Sequence, residues 1–235
     1  MNLILLFESD FIAGNLVRLS DRRMRHIMEV HRASVGDELC VGLEGGDIGS
    51  GVVTILSSDA LEMEVQFSKK PPPKLPLTLV LAMPRPKVFR RVLYTASALG
   101  VGKIFLINSR RVEKSFWKSP VLDPTIIRRQ LILGLEQSRD TIMPEVLIRP
   151  LFKPFVEDDM PQIMKNTLPL VAHPAAQEIL PRNVGHQVTL AVGPEGGFIP
   201  YEIDMFRSLG FRVVGAGERI LPVEAAVPFL ISRLL

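Results

Sequence analysis

Val188-Thr189-Leu190-Ala191-Val192-Gly193-Pro194-Glu195-Gly196-Gly197-Phe198-Ile199-Pro200-Tyr201-Glu202 decides how this chain is read. The first five residues form a short apolar run that fits a buried strand. Pro200, followed by Glu202, Ile203, Phe206 and Leu209, fits a helix with proline at its first position. Between them lies a glycine turn. Gly196 and Gly197 accept positive φ and expose main-chain groups with no Cβ in the way, so a small ligand can come close to the backbone. A plain strand-to-helix connection fits the same local spacing. Neither the G-x-G-x-x-G nor the G-x-x-x-x-G-K-[ST] spacing is present, which argues against dinucleotide and triphosphate binding.

The surrounding chain has 235 residues, 47% of them apolar, enough for one large domain or two modest ones. No apolar run approaches membrane-span length. The Leu3–Phe7 run lacks a preceding basic region and is followed by Glu8 and Asp10, so a cytoplasmic protein is expected. The lone Cys40 rules out an intramolecular disulfide and a multi-cysteine zinc site, and its strand-like setting suggests a small buried hydrophobe. The net charge is only +3, but basic residues cluster at Arg18–Arg32, Arg85–Arg91 and Arg110–Lys118. One cluster is ordinarily a solvated face; three in the first half point to a polyanion partner.

Residues 1–68 read as a small β-rich domain. Strands are expected at Leu3–Phe7, Glu38–Val41, Gly51–Leu56 and Leu61–Phe67, with one helix capped by Ser20 and carrying Met24, Ile27 and Val30 on its apolar side. His26 and His31 on that helix have no partner at metal-ligand spacing. Residues 69–76 hold four prolines in eight positions and read as a stiff linker. From 77 to 235 strands and helices alternate. Strands are expected at Leu77–Met83, Lys103–Ile107, Val146–Ile148, Leu168–Ala172, Val188–Val192 and Phe211–Ala216, with a helix opened by Asp123-Pro124 and a last apolar helix near Val223–Leu234. That alternation predicts an α/β fold with a mostly parallel sheet.

Ligands of open parallel sheets sit beyond the carboxyl ends of the strands. Three expected strand ends carry unusual loops: Ala172-His173-Pro174, Val192–Gly197, and Ala216-Gly217 through Ile220-Leu221. Backbone groups from three loops with apolar Ile220 and Leu221 suit a flat purine better than a polyphosphate.

The chain resembles a known family at Leu135-Glu136-Gln137-Ser138-Arg139, Val192–Phe198, Arg219-Ile220-Leu221 and Val223-Glu224-Ala225-Ala226. His26-Ile27-x-x-Val30-x-Arg32, Gly36-Asp37 and Leu99-Gly100-Val101 extend the likeness over nearly the whole chain. These motifs are similar to the ribosomal RNA small subunit methyltransferase E family, of the SPOUT class. The resemblance implies an N-terminal PUA-like β-barrel, a C-terminal trefoil-knotted α/β domain, a homodimer, and S-adenosylmethionine as cofactor without any metal. It implies methylation of N3 of a uridine in 16S ribosomal RNA of the small subunit. The implied cofactor site comprises Ala172, His173, Pro174, Val192, Gly193, Pro194, Gly196, Gly197, Ala216, Gly217, Ile220 and Leu221. Glu195 or Glu224 is the candidate base or positioning carboxylate, and Arg139 the candidate grip on phosphate or a uracil carbonyl; a helix N-terminal carboxylate and a salt bridge within the dimer are the plainer readings. Arg22, Arg25, Arg32, Arg85, Arg90 and Arg110 are the candidate RNA contacts.

The chain departs from the family pattern at Pro222, where arginine is usual, and at Ala225, where threonine is usual. Thr95 and Ala98 stand where lysine and glutamate are common. These departures keep open a weakened or retargeted RNA-binding protein. A small-molecule methyltransferase and a nucleotide-binding hydrolase are the other readings.

Overall fold

The computed structural model describes residues 2–235, which divide into two compact units. The first comprises the chain up to Pro73 together with Leu131–Met143; the second comprises Lys74–Gln130 and Pro144–Leu235.

The first unit is built on β1 (Ile4–Leu6), β2 (Phe11–Ala13), β3 (Leu16–Leu19), β4 (Glu38–Leu43), β5 (Ile48–Leu56) and β6 (Leu61–Lys69). They form one sheet in the order β1-β4-β5-β6-β3-β2, antiparallel except for the β1–β4 pair. Strict alternation along β6 buries Leu61, Met63 and Val65 against Ile4, Leu6, Val17 and Val53, while Glu64 and Gln66 face out. β1 is apolar throughout because both its faces are covered: Leu3 and Leu5 pack with Ile48, Ile132 and Leu135. Gly49 lies at a register shift between β5 and β6, and a Cβ there would meet the Gln66 carbonyl oxygen at 1.8 Å.

The expected helix exists but differs from its sequence reading. Asp21, rather than Ser20, caps it, its carboxylate accepting from the Arg23 N–H at 2.8 Å, and the α-helical part is only Arg22–His26. It continues as a π-turn over Ile27–His31 and stops at Arg32, whose φ is 53°. The extra residue of a π-turn rotates the later side chains around the helix axis. Met24 and Ile27 are therefore buried, whereas Val30 is 63% exposed and lies off the apolar side assigned to it. Cys40 is half-buried against the Leu3–Leu5 cluster.

The second unit carries a wholly parallel seven-stranded sheet: β7 (Leu75–Ala82), β8 (Val101–Ile107), β9 (Glu145–Arg149), β10 (Leu168–Ala172), β11 (Glu178–Ile179), β12 (Val188–Val192) and β13 (Arg212–Gly215). Their order is β11-β13-β10-β12-β7-β8-β9. The central strands β7 and β12 are apolar runs because helices cover both faces. Helices Pro124–Ser138, Pro200–Ser208 and Val223–Leu234 stand where the sequence puts them, and a further helix spans Pro86–Ala98. An aromatic cluster of Phe105, Phe155, Phe198, Phe206 and Phe211 fills one face of the sheet. The extended connector is shorter than its proline content suggests: Lys69 ends β6, and Pro76 lies within β7, at a shift in the β7–β8 register.

Candidate functional site

The parallel order places the carboxyl ends of β10, β12 and β13 side by side, and the loop after each strand turns toward one cavity of about 260 Å³. Its walls are Ala172, His173 and Pro174 after β10; Val192, Gly193, Pro194, Glu195 and Gly197 after β12; and Ala216, Gly217, Arg219, Ile220, Leu221 and Pro222 after β13. Val223, Ala226 and Leu230 of the C-terminal helix close the remaining side.

Glycine is needed at two of these positions for different reasons. A Cβ on Gly193 would come within 3.0 Å of the Phe198 nitrogen and 3.2 Å of the Gly197 Cα, so a side chain there would press on the turn's own backbone. Gly217 has φ of +120°, a conformation closed to ordinary side chains. The turn is fastened by a Gly197 N–H to Pro194 carbonyl bond of 2.7 Å. His173 accepts from the Ala175 N–H through Nδ1 at 3.2 Å, which leaves Nε2 to carry the proton of the neutral ring.

Charged side chains are few in the lining. Glu195 is exposed and accepts from the Arg85 N–H at 3.0 Å, at the N-terminus of the Pro86–Ala98 helix, where a carboxylate meets the positive end of the helix dipole. Arg219 is the one guanidinium among the lining residues, and no lysine is present there. Mostly apolar walls with exposed main-chain groups suit a nucleoside and offer a polyphosphate too few donors. Among the described residues no group of three or more His, Cys, Asp or Glu is placed to hold a metal ion.

Other site residues singled out in the sequence lie elsewhere. Gly196 is absent from the lining: its carbonyl accepts from the Arg111 guanidinium, and its Cα lies under the Arg111 stem. Glu224 stands in the first turn of the C-terminal helix, also outside the lining, and pairs with Arg91 at 3.4 Å. Arg139 is exposed in the first unit, just past the end of its helix with φ of 58°. Arg25 and Arg32 are exposed, but Arg22 forks onto the buried Glu136 at 2.9 and 3.0 Å. Arg85, Arg90 and Arg110 are exposed in the second unit. The sequence reading missed Ala226 and Leu230, although their i, i+4 spacing after Val223 marks one helix face. It also passed over Arg111 and Glu202.

Fold and pocket together define an α/β protein whose strand-end loops surround a mostly apolar cavity of a kind that suits a nucleoside. Residues 71–235 match the RNA methyltransferase domain family, and the chain belongs to it. It is 28% identical over 239 residues to ribosomal RNA small subunit methyltransferase E of Treponema pallidum (strain Nichols), covering 96% of this chain and 87% of that one. It is 27% identical over 240 residues to the protein of the same name from Aquifex aeolicus (strain VF5), with 98% of each covered. A crystal structure of a ribosomal RNA small subunit methyltransferase E from Neisseria gonorrhoeae, bound to S-adenosyl methionine, superposes with a TM-score of 0.77 at 22% identity. It covers 99% of this chain and 95% of that chain.

Proposed function

We propose that this protein transfers a methyl group from S-adenosylmethionine to N3 of a uridine in 16S ribosomal RNA of the small subunit, acting in the cytoplasm as a homodimer. The observation that carries the reading is the convergence of three strand-end loops, two of them glycine-bearing, on one apolar, backbone-lined pocket in a chain of the RNA methyltransferase family. The relatives named for small-subunit RNA, one of them bound to S-adenosyl methionine, support the choice of substrate and cofactor. The insertion of β12 between β7 and β10, with β13 on the far side of β10, supports a trefoil-knotted SPOUT topology. The six-stranded first unit suits a PUA-like RNA-binding module.

The pocket fits the cofactor chemically. Gly193 and Gly217 let main-chain groups approach an adenosine, and Ile220, Leu221, Ala226 and Leu230 supply an apolar bed for a purine. S-adenosylmethionine supplies a methyl group made electrophilic by its sulfonium. The uracil N3 carries a proton that must leave as the nitrogen–carbon bond forms, so the protein has to accept that proton or stabilise charge on O2 or O4. Glu195 is the carboxylate in the lining and is the better candidate for this work; Glu224 is engaged by Arg91 outside it. Arg139 is proposed to hold an RNA phosphate or a uracil carbonyl, and Arg25, Arg32, Arg85, Arg90 and Arg110 to grip phosphates. A paired uridine hides N3, so the target nucleotide has to be unpaired or flipped out.

Purified protein incubated with tritiated cofactor and small subunits from cells lacking this gene is expected to label 16S RNA at one uridine. Subunits from cells that carry the gene should accept little label. Equal labelling of both, or none of either, contradicts the proposal. Wild-type turnover speaks against a weakened, RNA-binding-only protein, the reading that Pro222 and Ala225 keep open.

A further inference from the structure

The glycine turn is held from behind by the segment after β8. Glu202 is only 3% exposed, yet no cation is paired with it among the described residues. Its carboxylate accepts from the Arg110 N–H at 2.7 Å, the Ile199 N–H at 2.9 Å and the Ser109 hydroxyl at 3.1 Å. The next residue, Arg111, donates from its guanidinium to the Gly196 carbonyl, and its stem covers the Gly196 Cα so closely that a Cβ there would meet Arg111 Cδ at 3.0 Å. Residues 109–111 thus tie down both the middle of the turn and the start of the helix that leaves it. Gly193, Pro194, Glu195 and Gly197 of the same turn form a pocket wall on its other side.

We infer that Arg111 and Glu202 are positioning residues: they fix the glycine turn in the shape that receives the cofactor, without touching it. This rests on the methyltransferase reading. Hydrogen bonds to charged groups are stronger than neutral ones, and a buried backbone N–H that loses its acceptor carries its full desolvation cost. Glutamine at position 202 would turn an NH₂ group toward donors. Arg111 offers a second, surface-side way to loosen the same turn, because its side chain is exposed and its removal takes nothing from the core.

The test is calorimetric titration of the full-length protein with S-adenosylmethionine, alongside thermal melting. Arg111→Ala is expected to weaken binding about tenfold, the size expected for losing one charge-assisted hydrogen bond, with the melting temperature unchanged. Arg111→Lys should recover much of the affinity through its single ammonium donor. Glu202→Gln should weaken binding at least as much as Arg111→Ala. Arg207→Ala removes an equal charge from the helix that leaves the turn, where Arg207 is exposed and bonds to Asp204, so its cofactor affinity should match the parent. Parent-like affinity in Arg111→Ala overturns the inference and leaves the function reading intact. An equal loss in Arg207→Ala overturns it too, since charge rather than the tether would then be responsible. A lower melting temperature in Arg111→Ala without rescue by Arg111→Lys assigns a merely structural role. Failure of the parent itself to bind sinks the function reading and this inference together.

Discussion

Glu136 illustrates how a family motif can serve the fold. Burial pushes its carboxyl above the ordinary 4.5; the hydrogen bonds and charge of Arg22, the charge of Arg23 and a bond from the Leu5 backbone oppose this, and burial wins. A carboxyl whose folded pKa is raised contributes stability that is full below the unfolded value and is lost as pH rises through the folded one. Arg22→Ala would strip the fork from an almost fully buried carboxylate, at a cost of about 3 kcal/mol near neutral pH. The deficit should shrink as pH falls toward 4.5 and protonation removes the unpaired charge. Denaturant unfolding at a series of pH values reads this directly; a deficit independent of pH would contradict it. None of this was legible in the sequence, where Arg22 reads as one more cation in a basic cluster and its partner lies 114 positions away. Gly193 is the opposite case. Its role in a tight turn was readable, and Gly193→Ala is expected to weaken cofactor binding about tenfold by forcing the turn open against the Phe198 nitrogen.

Elements with strong periodicity were legible, and short or irregular ones were not. The runs behind β12 and behind β7 from Leu77 onward are buried on both faces, and their largely apolar character says so, whereas β8 and β10 are buried only in part. β2 and β3 have three and four residues and leave too little pattern to read. The π-turn at Ile27–His31 broke the helical count that put Val30 inside. Gly49 lies outside the strand expected at Gly51–Leu56 but belongs to β5, where its missing Cβ admits the neighbouring strand. Gly49→Ala is therefore expected to cost about 3 kcal/mol in unfolding free energy, because the contact is with backbone that cannot step aside. An alanine variant as stable as the parent would refute that reading. At the pocket, the three loops were visible as unusual strand ends, two of them with glycines, but which glycine faces inward was not: Gly196 lies against Arg111, and only the folded turn decides that.

At the scale of the molecule, the motifs spread over the chain carried the family, and the RNA methyltransferase family match bears that out. What they could not convey is that Leu131–Met143 cluster with the first unit while the chain on either side belongs to the second. The proline-rich stretch advertises one crossing between units; of the others, one falls inside the Pro124–Ser138 helix and one just before β9. If the exposed arginines grip RNA phosphates, binding should weaken linearly in log salt, and Arg110→Ala should lower the slope by about one. A flat salt response would remove these residues from the interface. The central claim is methylation at N3, on the Watson–Crick edge, which blocks base pairing. Primer extension along 16S RNA from cells with and without this gene tests it most directly. A single stop next to one uridine, present only with the gene, is the predicted result; identical extension from both RNAs would contradict the account.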